Sequence, residues 1–153
     1  FFIDGVEITQ LTIPDGVTLI REYVFCSGKS LTSITIPDSV TSIEESAFSS
    51  CRSLTSVTIG NGVTSIGLSA FKDCISLTSV TIPDNVTSIG KYAFAQCSSL
   101  NEIYCKPTTP PTGSLSMFDR VASNCTIYVP TASVNKYKSA THWRDYNIIG
   151  YDF

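Results

Sequence analysis

The sequence predicts a β-rich solenoid of α/β class, built from about five turns of a 23-residue repeat and closed by a C-terminal cap. Three observations predict it. Apolar residues recur in register, as in Leu31, Leu54, Leu77 and Leu100, in Ile20, Ile43, Ile66 and Ile89, and in Phe25, Phe48, Phe71 and Phe94. Within each unit a segment such as Leu31 to Ile36 alternates apolar and polar residues, the pattern of a half-buried strand. One such unit cannot bury its own apolar set, so neighbouring turns must cover each other.

Taken in order, the unit starts with that strand. Pro37-Asp38 ends it, because Pro has no N–H for a ladder and Asp favours a turn. Val40 to Ile43 forms a second, shorter extended segment. Glu45 to Cys51 carries Ala47, Phe48 and Cys51 among small spacers and predicts a single helical turn on the side opposite the first strand. Further apolar columns are Val17, Val40, Val63 and Val86; Ile13, Ile36, Ile59 and Ile82; and Leu11, Ile34, Val57, Val80 and Ile103.

Cys51, Cys74 and Cys97 share one repeat position with Gly28, which marks a small buried niche where the thiol acts as a compact hydrophobe. Cys26, Cys105 and Cys125 lie off this register. A Cys105–Cys125 disulfide is open to the chain in an oxidising compartment, although the two cysteines stand several residues apart along their strands.

The fifth turn departs from the pattern. Leu100 to Cys105 still reads as a strand, but Lys106 to Gly113, with three prolines, replaces the turn and second strand. Met117-Phe118 resumes the Ala-Phe position one residue late, and Cys125 to Pro130 is again a strand. Thr131 then suits an N-cap for a short helix over 132–141, with Val134 and Tyr137 facing inward. Trp143, Tyr146, Ile148, Ile149, Tyr151 and Phe153 supply an aromatic-rich lid over the open end of the core. The solenoid thus spans 1–130 and the cap 131–153. The chain is already apolar at Phe1-Phe2-Ile3 with no matching cap before the first repeat, so the native N-terminus is expected upstream.

Composition narrows the function. Net charge is −3, charged residues make up 15 %, and no Lys/Arg run exists, which argues against nucleic acid and anionic membrane surfaces as partners. No apolar stretch approaches a transmembrane span. His142, the single histidine, sits in the cap without the partners of a triad or metal site. The cysteines lack C-x-x-C spacing. Asp15, Asp38, Asn61 and Asp84 form a column, but one carboxylate per turn is a poor calcium site, and turn formation explains it. No enzyme activity and no cofactor are therefore expected. Asn85-Val-Thr87 and Asn124-Cys-Thr126 match the sequon pattern.

The motif I-P-D-S-V-T-S-I-E-E-S-A-F-S-S-C-R-S-L-T-S-V at Ile36 to Val57 recurs from Ile59 and from Ile82. It resembles the BspA-like leucine-rich repeat family over roughly residues 8 to 130, and V-P-T-A-S-V-N-K-Y-K from Val129 is similar to the usual ending of such proteins. The resemblance implies a leucine-rich-repeat-type solenoid, a bacterial or protozoan protein at the cell surface or secreted, and a role in adhesion to host protein or glycan. It supplies no catalytic residues. In leucine-rich repeats the strand face is the concave, ligand-bearing one. Here that face carries Ser33 and Thr35, Ser56 and Thr58, Ser79 and Thr81, then Glu102 and Tyr104, and Tyr128. These nine residues are the candidate ligand contacts, on a chain expected to be monomeric. A structural spacer within a longer surface protein is the alternative. An ice-binding Thr face is a remote one, since one column is Ser and Glu102 and Tyr104 interrupt the regularity.

Overall fold

The computed structural model describes residues 2, 3 and 6–153, and side chains from Glu7 onward. β1 (Phe2–Ile3) and β2 (Val6–Glu7) pair antiparallel ahead of the repeats. Each of the next four turns then contributes two parallel strands. These are β3 (Gln10–Thr12) and β4 (Leu19–Ile20), β5 (Ser33–Ile36) and β6 (Ser42–Ile43), β7 (Ser56–Ile59) and β8 (Ser65–Ile66), and β9 (Ser79–Ile82) and β10 (Ser88–Ile89). β11 (Glu102–Cys105), β12 (Thr126–Pro130) and β13 (Asn147–Tyr151) continue the first-strand side. The result is a parallel β-solenoid of leucine-rich-repeat type, with about six turns and little helix.

The repeat columns become ladders. Ile34 faces Val57 and Ile36 faces Ile59 between β5 and β7, and Val80 faces Ile103 between β9 and β11. Leu31, Leu54, Leu77, Leu100 and the central Phe residues are fully buried. Phe25, Phe48, Phe71 and Phe94 stack with centroids 5.2 Å apart and rings within 12° of parallel. Phe118 follows at 5.7 Å, and Trp143 and Tyr146 close the column edge-on.

Polar repeat positions also serve the stack. Thr32, Thr55, Thr41, Thr64 and Thr87 each donate a side-chain hydroxyl to the carbonyl of the residue one turn earlier, at 2.9–3.2 Å. The same residues send their backbone N–H to that carbonyl. In the cysteine niche, Cys51, Cys74 and Cys97 donate Sγ–H to the carbonyls of Phe25, Phe48 and Phe71 at 3.1–3.3 Å. A small side chain with a weak donor suits that site better than Ala, because a buried carbonyl otherwise loses a partner. Gly28 occupies the niche one turn below, where a Cβ would lie 3.2 Å from the Phe25 carbonyl.

Several expectations are corrected. The third side is not a helical turn. Ser46 and Ser50 have positive φ (52° and 60°), as do Ser69 and Asp73, Tyr92 and Gln96. This backbone aims alternate N–H groups along the solenoid axis, so Ser46, Phe48 and Ser50 donate to Leu68, Ala70 and Lys72 one turn on. Cross-turn bonds replace the helical i−4 pattern.

The C-terminal helix α1 spans only Val134–Ser139, after a 3₁₀ turn over Thr131–Ser133. Thr131 does not cap α1, and its hydroxyl instead donates to Asp152 at 2.8 Å. The tail is more than a lid. Tyr137 and Trp143 do seal the core, but β13 adds to β12 as a further parallel rung, with Ile148 beside Ile127.

The disulfide is not formed, and both cysteines are free. Register places Glu102 opposite Thr126, so Cys125 stands beside Asn101 and not beside Cys105. Cys105 is buried against the Tyr137 hydroxyl.

The Pro-rich segment loses most of the second strand, as its missing N–H groups require, yet Thr112 still bridges Ser88. Its free carbonyls accept from the cap: Pro107 from Tyr137 Oη at 2.7 Å and Pro111 from Trp143 Nε1 at 2.9 Å.

Candidate binding face

The outward residues of the first strands form two columns. Ser33 lies opposite Ser56 and Thr35 opposite Thr58; Ser79 lies opposite Glu102 and Thr81 opposite Tyr104; Tyr104 lies opposite Tyr128. All nine sequence-derived candidates are therefore on one face. Gln10 and Thr12 extend it at one end, and Thr126, Asn147 and Ile149 at the other.

The face is not one continuous sheet. β3, β5 and β7 form one unit and β9, β11, β12 and β13 another. Among the described residues no ladder joins β7 to β9. Elsewhere a turn's opening N–H groups reach back to the previous turn: Thr55 and Ser56 to Thr32, and Asn101 and Glu102 to Thr78. Thr78 and Ser79 make no such bonds to Thr55. The other two sides stay closed at this step, with Ser88 paired to Ser65 and Phe71 stacked on Phe94. The strand side alone opens, as a wedge.

Gly60 and Gly62 shape the turn-side corner of the third turn. They replace the Pro and Ser of the usual turn, and a Cβ on them would lie 2.5 Å from Pro37 and 1.8 Å from the Asp38 carbonyl. Only glycine allows so close an approach. The third turn thereby packs close on the second, while Asn85 Nδ2 donates to the Asn61 carbonyl at 2.8 Å and keeps the fourth turn bonded to the third. Asp38 fixes the close packing by accepting the Asn61 N–H at 2.7 Å.

Beyond the wedge the face becomes aromatic. Tyr104 and Tyr128 stack at 4.9 Å, and Tyr151 lies beside both at 5.4 and 5.7 Å, crossed at 73° and 65°. Tyr104 donates to Glu102 at 3.3 Å, and partial desolvation together with that carboxylate raises the phenol above its ordinary range. Tyr151 and Phe153 were assigned to the lid by sequence. The alternation across Asn147 to Tyr151 was the signal that places Tyr151 outward, and it is readable only once the tail is known to be a strand.

Chemically the face offers hydroxyls, amides and aromatic rings. Among the described residues no group of three or more His, Cys, Asp or Glu could hold a metal ion. Asp38 accepts the Asn61 N–H of the next turn. No helix of the described chain is long and apolar enough to cross a membrane.

A parallel solenoid of 23-residue turns with stacked Leu, Ile and Phe columns is the architecture of a leucine-rich repeat protein. The profile of the BspA type leucine rich repeat region matches residues 1–119 in six copies. The chain belongs to that family. No functionally curated protein matches it. It is similar to a leucine-rich repeat protein of Treponema pallidum, at 25 % identity and TM-score 0.73 over 83 % of this chain and 61 % of that one. One from Bacteroides ovatus is 35 % identical, with TM-score 0.69 over 81 % of this chain and 32 % of that one. A leucine-rich cell surface protein of Faecalibacterium prausnitzii is 29 % identical, with TM-score 0.65 over 96 % of this chain and 33 % of that one. The chain thus spans under two thirds of each of these proteins.

Proposed function

We propose that this chain is a non-enzymatic binding module of a cell-surface or secreted protein, and that its strand face recognises a host protein or glycan. The carrying observation is the outward double column that runs from Ser33 and Thr35 to Tyr104 and Tyr128, with its backbone positions fixed by the ladders beneath. Repeat scaffolds hold such columns rigidly, so little ordering cost attends binding. The Faecalibacterium relative, described as a cell surface protein, supports the location. The break between β7 and β9 removes the flat continuous lattice that an ice-binding face needs.

The test is a triple substitution, Thr58→Lys, Thr81→Lys and Tyr104→Lys, against a panel of purified host matrix proteins and oligosaccharides. Binding is expected to be lost while the far-UV CD spectrum is unchanged. Binding that survives all three lysines would remove the strand face from the function. If the wild type binds no member of the panel, the spacer reading takes its place.

A further inference from the structure

The strand face borders a trough that the repeat pattern does not announce. It runs along the C-terminal ends of the first strands in two parts. The first, about 650 Å³, is bounded by Asp15, Asp38 and Asn61 and by Thr58 and Thr81 on the two lips of the β7–β9 wedge. The second, about 620 Å³, lies between Asp84, Pro130, Tyr151 and Phe153. Lys106 lines both parts, with its ammonium 5.8 Å from the Phe153 ring.

The shape calls for a long, narrow occupant that lies along the solenoid axis, across the strands. Its chemistry excludes most polymers. Asp15, Asp38, Asp84 and Asp152 face a single lysine, which disfavours anionic chains such as sulfated or sialylated glycans and nucleic acid. A peptide laid across strands gains no ladder bonds, because within each sheet the neighbouring strands already pair with each other. The walls do offer short hydroxyl, amide and carboxylate groups, repeated at the ~4.8 Å spacing of paired strands on either side of the wedge. At one end stands Tyr151, 43 % exposed and backed by the Tyr104–Tyr128 stack. Repeated polar groups able to pair with hydroxyls, with an exposed aromatic ring at the end, match an uncharged chain of pyranose rings. An extended β1,4-linked chain also repeats at a spacing close to that between strands.

We propose that the trough binds an extended, neutral β1,4-linked glycan, with a terminal sugar ring stacked on Tyr151. The proposal rests on the strand-side binding reading above and specifies its ligand class. Asp38, Asn61, Thr58 and Thr81 accept from or donate to sugar hydroxyls. The wedge between β7 and β9 gives the central sugars their depth.

Isothermal titration with cellohexaose, chitohexaose and xylohexaose tests it, with a heparin hexasaccharide as the anionic counterpart. At least one neutral hexasaccharide is expected to bind saturably and more tightly than its disaccharide, and heparin is expected not to bind. Tyr151→Ala should weaken that binding about tenfold, whereas Tyr151→Phe should retain it, because the ring face and not the hydroxyl makes the contact. Unchanged thermal melting of both variants separates this from misfolding. The proposal is overturned if none of the three neutral chains binds, if heparin binds best, or if Tyr151→Ala binds as the wild type does. If the lysine triple abolishes capture of a matrix protein while no neutral chain binds, the strand face stands and the trough proposal falls. If Tyr151→Ala abolishes capture of that protein without any sugar binding, the trough holds polypeptide, which also overturns the proposal.

Discussion

Phe71→Ala probes the stack most directly. Phe71 is fully buried and lies between Phe48 and Phe94, with 5.2 Å to each centroid and rings within 12° of parallel. Truncating a buried Phe costs about 3–5 kcal/mol through lost transfer energy and the cavity left behind. Two stacked contacts, each worth about 0.5–1.5 kcal/mol beyond area, place this site near the top of that range, at about 5 kcal/mol. Collapse is restricted, because cross-turn bonds from Phe71 to Ala93 and from Ser69 to Lys91 hold the neighbouring backbones apart. A domain of this kind has roughly 5–15 kcal/mol in total, so the loss is a large share of it. Guanidinium unfolding followed by far-UV CD reads the change, and the midpoint should fall with little change in m. A fall in m would instead mean that the two halves of the array unfold separately. A loss below about 2 kcal/mol at unchanged m would refute the reasoning, because it would mean that the ring column is not close-packed.

Alkaline pH should destabilise the fold. Burial lifts the Cys51 and Cys125 thiols to about 11 and Cys105 to about 12, from an ordinary value of 9.0. Beside Cys97, and buried, Cys74 is held well above its usual range. Above pH 9 the unfolded chain binds fewer protons than the native one, so stability is intact below pH 9 and falls as pH rises towards 12. Denaturant midpoints at pH 8, 10 and 11 check this, and a flat profile would contradict it. Gly62→Ala should cost at least about 2 kcal/mol, because its Cβ would meet the Asp38 carbonyl at 1.8 Å and only backbone could yield. Gly28→Ala, with its nearest contact at 3.2 Å, should cost less, and the reverse order in thermal melts would disprove the close approach at Gly62.

The core columns were legible because a 23-residue period leaves few ways to bury Leu, Ile, Val and Phe together. The niche shared by Gly28, Cys51, Cys74 and Cys97 was legible for the same reason, since identity at one position across turns reports a shared volume. Where the chain loses its period, the reading weakened. Asn147 to Tyr151 alternates like a strand, but nothing local distinguishes a further rung from a lid.

By itself, then, the sequence determined the solenoid, its ladders and the pairing of Ser and Thr columns on one face. Side-chain burial repeats with the chain, and burial is what periodicity encodes. Only the tertiary structure decided how the turns bond on the third side, where positive φ at Ser46 and Ser50 directs N–H groups to the next turn. It alone decided that Gly60 and Gly62 pack the third turn close on the second, and that β7 and β9 share no ladder on the strand side. It also decided that Tyr151 reaches Tyr104 across one intervening rung. Each of these depends on distances between turns, which a repeat in one dimension does not specify.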